Sequence, residues 1–264
     1  MYKHDPSRPL RTGTQSIERA FALMKEISAA NSGGASVPML AAKMRLNRTT
    51  AYRLLTCLVA QGALRRNARS GRYFLGPLAL ELGTAARHQL DLRELLAPVL
   101  TRIAEATGDT VFLLVKTGSD SVCLDRRLGS FPIKTLVVEV GTRRPLGIGA
   151  GGLAMLSALP DHELQRVVRA NAAQFAAYDA TARSLINAAR SAKSAGHVAA
   201  DVQGVPGVTA IALPVVDARG SPVAALAVAA IARRMTRKRQ SGLVSMMRAE
   251  IKRLGEFEAD ANIA

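Results

Sequence analysis

The sequence predicts an α+β protein: an N-terminal winged helix-turn-helix, a linker helix, and an antiparallel α/β domain. Three observations point that way. Through the first sixty or so residues apolar side chains recur at helical spacing, and a short basic hairpin follows. From Thr110 the apolar runs become short and β-rich, separated by Gly, Ser and Asp. Positive charge is concentrated in the first third. There are 14 basic and 4 acidic residues up to residue 90, against 22 and 16 beyond it, in a chain of 264 residues carrying +16.

In "SIERAFALMKEISA" (16–29), Ile17, Ala20, Phe21, Leu23, Met24 and Ile27 share one helix face, after a Thr14-x-Ser16 start able to cap the first turn. "NSGGAS" interrupts it. "VPMLAAKM" reads as a short second helix with Pro38 in its first turn and Leu40, Ala41 and Met44 inward. Arg45, Leu46 and Asn47 then turn the chain into a third helix, "NRTTAYRLLTCLVAQGAL". Its Ala51, Leu54, Leu55, Leu58 and Val59 form a single apolar face, which leaves Asn47, Arg48, Thr49, Thr50, Tyr52 and Arg53 directed elsewhere. Gly62 ends the helix, and "ALRRNARSGRYFLG" turns like a two-stranded hairpin, basic at Arg65, Arg66, Arg69 and Arg72.

So asymmetric a basic field attracts a polyanion. Guanidinium groups suit phosphate or guanine, hydroxyls suit phosphate oxygens, and a side-chain amide suits adenine. The third helix is expected to enter a major groove, with the wing along the backbone or minor groove. Candidate DNA contacts are Arg11, Thr14 and Ser16 around the start of the first helix; Arg45, Asn47, Arg48, Thr49, Thr50, Tyr52 and Arg53 at the third; and Arg66, Arg69 and Arg72 in the hairpin. Aromatic content of 4% with no Trp offers few stacking platforms for single strands, so double-stranded operator DNA is the expected partner.

"PLALELGTAARHQLDLRELLAPVLTRIAEATG" (77–108) is a nearly unbroken helical pattern whose first part reads as the linker. "TVFLLVKTG", "SVCLDRRLG" and "KTLVVEVG" read as strands, the last spanning Thr135–Val140. "DHELQRVV" and "ARSLINAARSAK" read as helices, "TAIALPVVDARGSPVAALAVAAI" as a hairpin, and "SGLVSMMRAEIKRLGEFE" as a closing amphipathic helix. The boundaries are 11–75 for the winged helix-turn-helix, 76–90 for the linker helix and 91–255 for the second domain. Strands first, helices between and a late hairpin suggest an antiparallel sheet rather than βαβ repetition.

"PLGIGAGGLAML" contains Gly147, Gly149 and Gly152 in the G-x-G-x-x-G spacing of a dinucleotide loop. That motif needs an apolar strand leading into the first glycine, a full helix after the third and another parallel strand. Here "GTRRPL" separates Thr135–Val140 from Gly147, Pro160 cuts the next helix short, and another helix follows. A dinucleotide-binding enzyme with an incidental basic arm is therefore the alternative reading, not the leading one. A smaller anion suits the stretch better, because successive N–H groups at a helix start bind anions and glycine allows close approach.

No G-x-S-x-G, H-E-x-x-H or G-x-x-x-x-G-K-[ST] occurs, so no catalytic residues and no cofactor are expected. Cys57, Cys123 and the four histidines show no metal-ligand spacing, so no metal is expected either. The apolar runs fall short of a membrane span and "MYKHDPSRPLRTGTQ" has no apolar signal region, which predicts a cytoplasmic protein with no membrane partner.

"SIERAFALMKEI", "RLNRTTAYRLLTCLVAQGAL" and "RYFLGPLALELG" resemble the N-terminal domain of the IclR family of bacterial transcriptional regulators, and the resemblance continues over residues 11–250. It implies a GAF-like second domain that senses a small organic acid, carboxylic or aromatic, and a homodimer or dimer of dimers. "GTRRPLGIGAGGLAML" stands where the family reads G-x-x-x-P-L-h-x-T-A-x-G-K-A-x-L-A, with Gly147 in place of the histidine and Leu153 in place of the lysine. By position the resemblance implicates Gly149, Ala150, Gly151, Asp201, Ala210, Ile211, Ala227 and Ala229 in effector binding; Leu136 and Val138 are expected as an apolar wall. Ala227 and Ala229 replace residues that are often hydroxylated, so a less polar pocket is expected.

Overall fold

A computed structural model describes residues 14–30, 33–85, 92–217 and 219–261. They belong to two compact units, Met1–Leu90 and Asp91–Ala264.

In the first unit α1 (Gln15–Ala29), α2 (Val37–Lys43) and α3 (Arg48–Ala60) precede a hairpin of β1 (Leu64–Arg66) and β2 (Tyr73–Leu75), and α4 (Pro77–Ala85) follows. Local chemistry sets the helix starts. Ser36 caps α2 with Pro38 in the first turn, and the Asn47 side-chain oxygen accepts the Thr50 N–H at 2.7 Å to open α3. Between them the Leu46 N–H returns to the Ala41 carbonyl at 2.9 Å, while Arg45 holds a left-handed φ of 51°. Leu23, Ile27, Leu40, Leu55, Leu64 and Tyr73 are buried together. Ala35 and Tyr73 exchange both backbone hydrogen bonds (3.0 and 2.8 Å), fastening the wing to the α1–α2 connection.

Two expectations for α1 are corrected. Thr14 stands at the N-cap, but its side chain makes no capping bond; its carbonyl accepts the Glu18 N–H at 3.0 Å instead. Ile17 and Phe21 lie on the expected apolar stripe yet are 58% and 61% exposed. The core lies against the Leu23/Ile27 side of the helix, and the two outer residues belong to a second apolar strip one turn apart.

The second unit begins with α5 (Leu92–Thr107), β3 (Thr110–Thr117), β4 (Asp120–Arg127), β5 (Arg143–Pro145) and α6 (Gly149–Ala158). It continues through α7 (Asp161–Phe175), α8 (Ala182–Ala195), β6 (Val198–Asp201), β7 (Val208–Val216), β8 (Pro222–Ile231) and α9 (Arg237–Ala261). The strands form one sheet in the order β5-β4-β3-β8-β7-β6, every neighbouring pair antiparallel. The fold is thus α+β, as expected. No helix among the described residues is long and apolar enough to cross a membrane.

Strand alternation sorts the sheet into two unlike faces. Val111, Leu113, Ile211, Leu213, Leu226 and Val228 pack against α5 and α9. On the other face Ala210, Ala212, Ala225, Ala227 and Ala229, with Phe112 and Leu114, look toward α6, α7 and α8. Large residues fill one layer to close packing. Alanines on the other leave a gap between sheet and helices.

Thr135–Val140 is not a strand, contrary to expectation. Two of its carbonyls accept from side chains instead of a ladder, Val138 from Arg126 at 3.3 Å and Val137 from Arg144 at 3.5 Å, and the Glu139 carbonyl accepts the Thr142 N–H in a turn. The Thr135 hydroxyl donates to the Ala229 carbonyl at 2.6 Å, which ties this loop to β8. The edge strand is the shorter β5, whose Arg143 pairs with Asp120 at 2.8 Å.

Two buried carboxylates lock the helices to the sheet. Asp109, 4% exposed, bonds Arg234 at 3.0 Å and also Arg239, both of which donate to the Thr107 carbonyl as well. Asp125, also 4% exposed, takes Arg93 from the start of α5 at 3.1 Å and Arg127 at 2.6 Å.

Candidate functional site

The front of α3 and the tip of the wing carry exposed basic residues of the first unit. Capping by Asn47 and burial of Ala51 and Leu55 fix the rotation of α3, so that Arg48, Thr49, Tyr52 and Arg53 are exposed and Thr50 is half-buried. Arg45, also exposed, stands in the turn before them. Across the hairpin the Asn67 side chain accepts the N–H groups of Arg69 and Ser70, both at 2.9 Å, building the tight tip from which Arg69 extends. Arg66 lies over the Tyr73 ring at 5.9 Å. These groups form what a major-groove reader with a backbone-contacting wing requires.

The remaining candidates are placed differently. Arg72 uses one guanidinium nitrogen on the carbonyls of Gly33 and Gly34, at 2.9 and 3.2 Å, so it braces the α1–α2 connection. The Asn47 side-chain oxygen accepts the cap bond, and its NH2 has both hydrogens to offer a base. Ser16 is exposed and Thr14 half-buried at the start of α1. Arg11 lies outside the described residues.

In the second unit the gap above the alanine face is a partly enclosed cleft, continuous with solvent. Ala210, Ala227 and Ala229 form its floor with Phe112 and Leu114, Val137 and Val138 form a side wall, and the first turn of α6 closes one end. Gly149, Ala150, Gly151, Val138 and Asp201 line it, in company with the alanines. Two proposed residues do not. Ile211 is fully buried on the opposite face, because neighbours in a strand point opposite ways and Ala210 already faces the cleft. Leu136 is 56% exposed and points away, its neighbours Val137 and Val138 supplying the wall.

The glycine stretch acts both in packing and in exposing its backbone. Gly147 and Gly149 have φ of 106° and 73°, which turn the chain from β5 straight into α6. α6 therefore starts at Gly149, before the third glycine, and Ile148 at its N-cap offers no side-chain bond. Its first N–H groups are left to the cleft. A Cβ on Gly151 would come within 2.5 Å of Leu114 Cδ1, so this glycine lets β3 approach the helix. A dinucleotide loop is excluded by the antiparallel sheet and the ten-residue α6 rather than by distance from a strand, since β5 ends only two residues before Gly147.

Polar groups at the cleft include Arg144 from β5, Ser121 and Thr142 near it, and Asp201 and Gln203 by the opposite sheet edge. Sequence reasoning missed Arg144, although "GTRRPL" carried the signal: in a two-residue alternation only one of the paired arginines can turn inward. Nearby, burial pushes the Cys123 thiol up to about 11, with Asp125 adding to the rise and Arg126 and Arg144 opposing it.

The N-terminal unit matches the IclR helix-turn-helix domain over residues 16–68, and residues 84–254 match the C-terminal domain of the bacterial transcriptional regulator IclR. The chain belongs to the IclR family. It is a bacterial transcriptional regulator with a helix-turn-helix DNA-binding domain and a C-terminal effector domain. It is 25% identical over 232 residues to the HTH-type transcriptional repressor AllR of Escherichia coli K12, covering 86% of this chain and 84% of AllR. The IclR-family regulator from Brucella abortus has the same fold, with a TM-score of 0.76 at 20% identity and 96% of each chain covered. An IclR homologue from Microbacterium hydrocarbonoxydans, solved with 4-hydroxybenzoate, matches with a TM-score of 0.68 at 22% identity, over 91% of this chain and 97% of that one.

Proposed function

We propose that this chain is a cytoplasmic regulator that binds a two-fold operator as a homodimer and responds to a small organic acid held in the cleft of its second unit. The observation that carries the reading is the first turn of α6, whose uncapped N–H groups open onto an apolar cleft. A carboxylate satisfies those donors while the alanine floor accepts an aliphatic or aromatic body. The homologue solved with 4-hydroxybenzoate makes an aromatic acid a reasonable first probe.

In this reading Arg45, Arg48, Thr49, Tyr52 and Arg53 read or grip the major groove, and Arg66 and Arg69 contact the backbone beside it. Exposed apolar side chains on two helices support a dimer. Ile17 and Phe21 on α1 and Leu80 and Leu82 on α4 are all more than half exposed, a cost that a second copy would remove. A dimer of dimers would follow from further contacts of the same kind. Effector and operator are coupled if the acid favours one arrangement of the DNA-binding halves of the dimer.

Gel-shift and footprinting on the region upstream of the gene, at two salt concentrations, test it. Salt-sensitive, sequence-selective protection over two half-sites, altered by an organic acid, is expected. Binding equal to that on random DNA would reject the reading.

A further inference from the structure

Arg143 and Arg144 are neighbours on β5 with opposite fates. Arg143 pairs with Asp120 at 2.8 Å. Arg144 lines the cleft and forms no ion pair with any described residue; its one hydrogen bond, to the Val137 carbonyl, is long at 3.5 Å. Its Nη1 lies 3.7 Å from where a Cβ on Gly149 would be, so the guanidinium sits beside the opening turn of α6. That turn contains no acidic residue. A cation and the positive end of a helix dipole therefore lie side by side at one end of an apolar cleft, an arrangement that favours an anion.

The other polar end of the cleft has the opposite sign. Asp201 comes from β6, at the far edge of the six-stranded sheet from β5. One of its oxygens accepts the Thr209 hydroxyl at 2.7 Å, leaving the other as an acceptor at the mouth. Between the two ends the surface is Ala210, Ala227, Ala229, Phe112 and Leu114, which offers a bound molecule nothing but apolar contact.

We propose that Arg144 is the residue that sets effector specificity. It selects a monocarboxylate with an apolar body and a hydrogen-bond donor at its far end, and Asp201 rejects dicarboxylates. This rests on the cleft being the effector site, as proposed above. The carboxylate is held bidentately by Arg144 and by the first N–H groups of α6. A hydroxyl or ammonium at the far end donates to Asp201. A second carboxylate there meets a like charge and has no hydrogen to donate to exposed Asp201, so rejection comes from lost hydrogen bonds, with solvent-screened repulsion added.

The experiment is calorimetric titration and thermal shift on the full chain with two length-matched probe sets. One is 4-hydroxybenzoate, terephthalate and 4-(hydroxymethyl)phenol; the other is 6-hydroxyhexanoate, adipate and hexane-1,6-diol. A hydroxy acid is expected to bind best in at least one set. Arg144→Gln should weaken it about 10- to 100-fold and leave the neutral probe unchanged, with Arg144→Lys between the two. Asp201→Asn should narrow the gap between hydroxy acid and diacid. The unliganded melting temperature of each variant reports whether the fold is kept. Hydroxy-acid binding that is unchanged in Arg144→Gln, or a diacid that binds wild type as tightly, overturns the specificity role while leaving the effector site standing. A wild-type chain that no probe of either charge stabilises overturns both.

Discussion

Leu114 of β3 occupies the space that a side chain on residue 151 would need, its Cδ1 lying 2.5 Å from the position of a Cβ there. Leu114 also lines the cleft, so it has room to move into the cavity. Gly151→Ala should therefore fold, at a cost of about 1–2 kcal/mol, while Leu114 swings over the alanine floor. The expected result is a modest drop in melting temperature with loss of ligand-induced stabilisation. Retained ligand stabilisation would show that the cavity does not depend on this contact.

Arg45 carries a left-handed backbone in the turn before α3, where glycine would be unstrained. Its retention there fits a side chain needed on the DNA-facing surface. Arg45→Gly should raise the stability of the first unit by about 0.5–1 kcal/mol, since relief of strain outweighs added freedom in the unfolded chain. It should also weaken operator binding and reduce the salt slope by about one. Urea unfolding and salt-dependent anisotropy measure the two effects. Gain in stability with undiminished affinity would remove Arg45 from the interface.

Asp109 is 4% exposed and holds two guanidinium groups, each on a different part of the segment after β8. Removing its charge strands both arginines. Asp109→Asn should cost about 3 kcal/mol, read as a lower urea midpoint at unchanged slope. An unchanged midpoint would mean that solvent compensates the two arginines.

Much of this architecture was legible because period and punctuation agree in sequence. The apolar face of α3, its Asn47 start and Gly62 after its end specify one helix in one rotation, and the structure places it so. Legibility failed where a residue's role depends on distant partners. "KTLVVEVG" has strand composition, but Arg126 and Arg144 bind its carbonyls and the ladder does not form. Ile17 and Phe21 fit the helical stripe, and only the position of the rest of the core decides that they stay outside. In the cleft, Ala210 and Ile211 could not both be right in a strand, a contradiction visible in the sequence once β7 is drawn as extended. Arg144 was missed because its neighbour Arg143 is identical in kind, and Asp120 alone distinguishes them.

Cys57 is exposed and Cys123 buried, with its thiol raised to about 11 from an ordinary 9.0. At pH 8 a maleimide should label Cys57 quickly and Cys123 only on unfolding, which mass spectrometry resolves. Between about pH 9 and 11 the unfolded chain binds fewer protons at Cys123 than the folded one, so this site lowers stability as pH rises through that window. Cys123→Ser should flatten that part of the stability profile. Rapid native labelling at both positions would contradict the burial.

The central claim is that an acid in the alanine-floored cleft changes the grip of α3 and the wing on operator DNA. Ala227, 5% exposed at the middle of that floor, allows the cleft to be filled from below by Ala227→Leu without touching the DNA-binding unit. Operator affinity measured by fluorescence anisotropy, with and without the best-binding acid, is the most direct test. The expected result is an acid-dependent shift in wild type, equal unliganded affinity in both proteins and no shift in Ala227→Leu. A shift that survives in Ala227→Leu would place the effector elsewhere and contradict the claim.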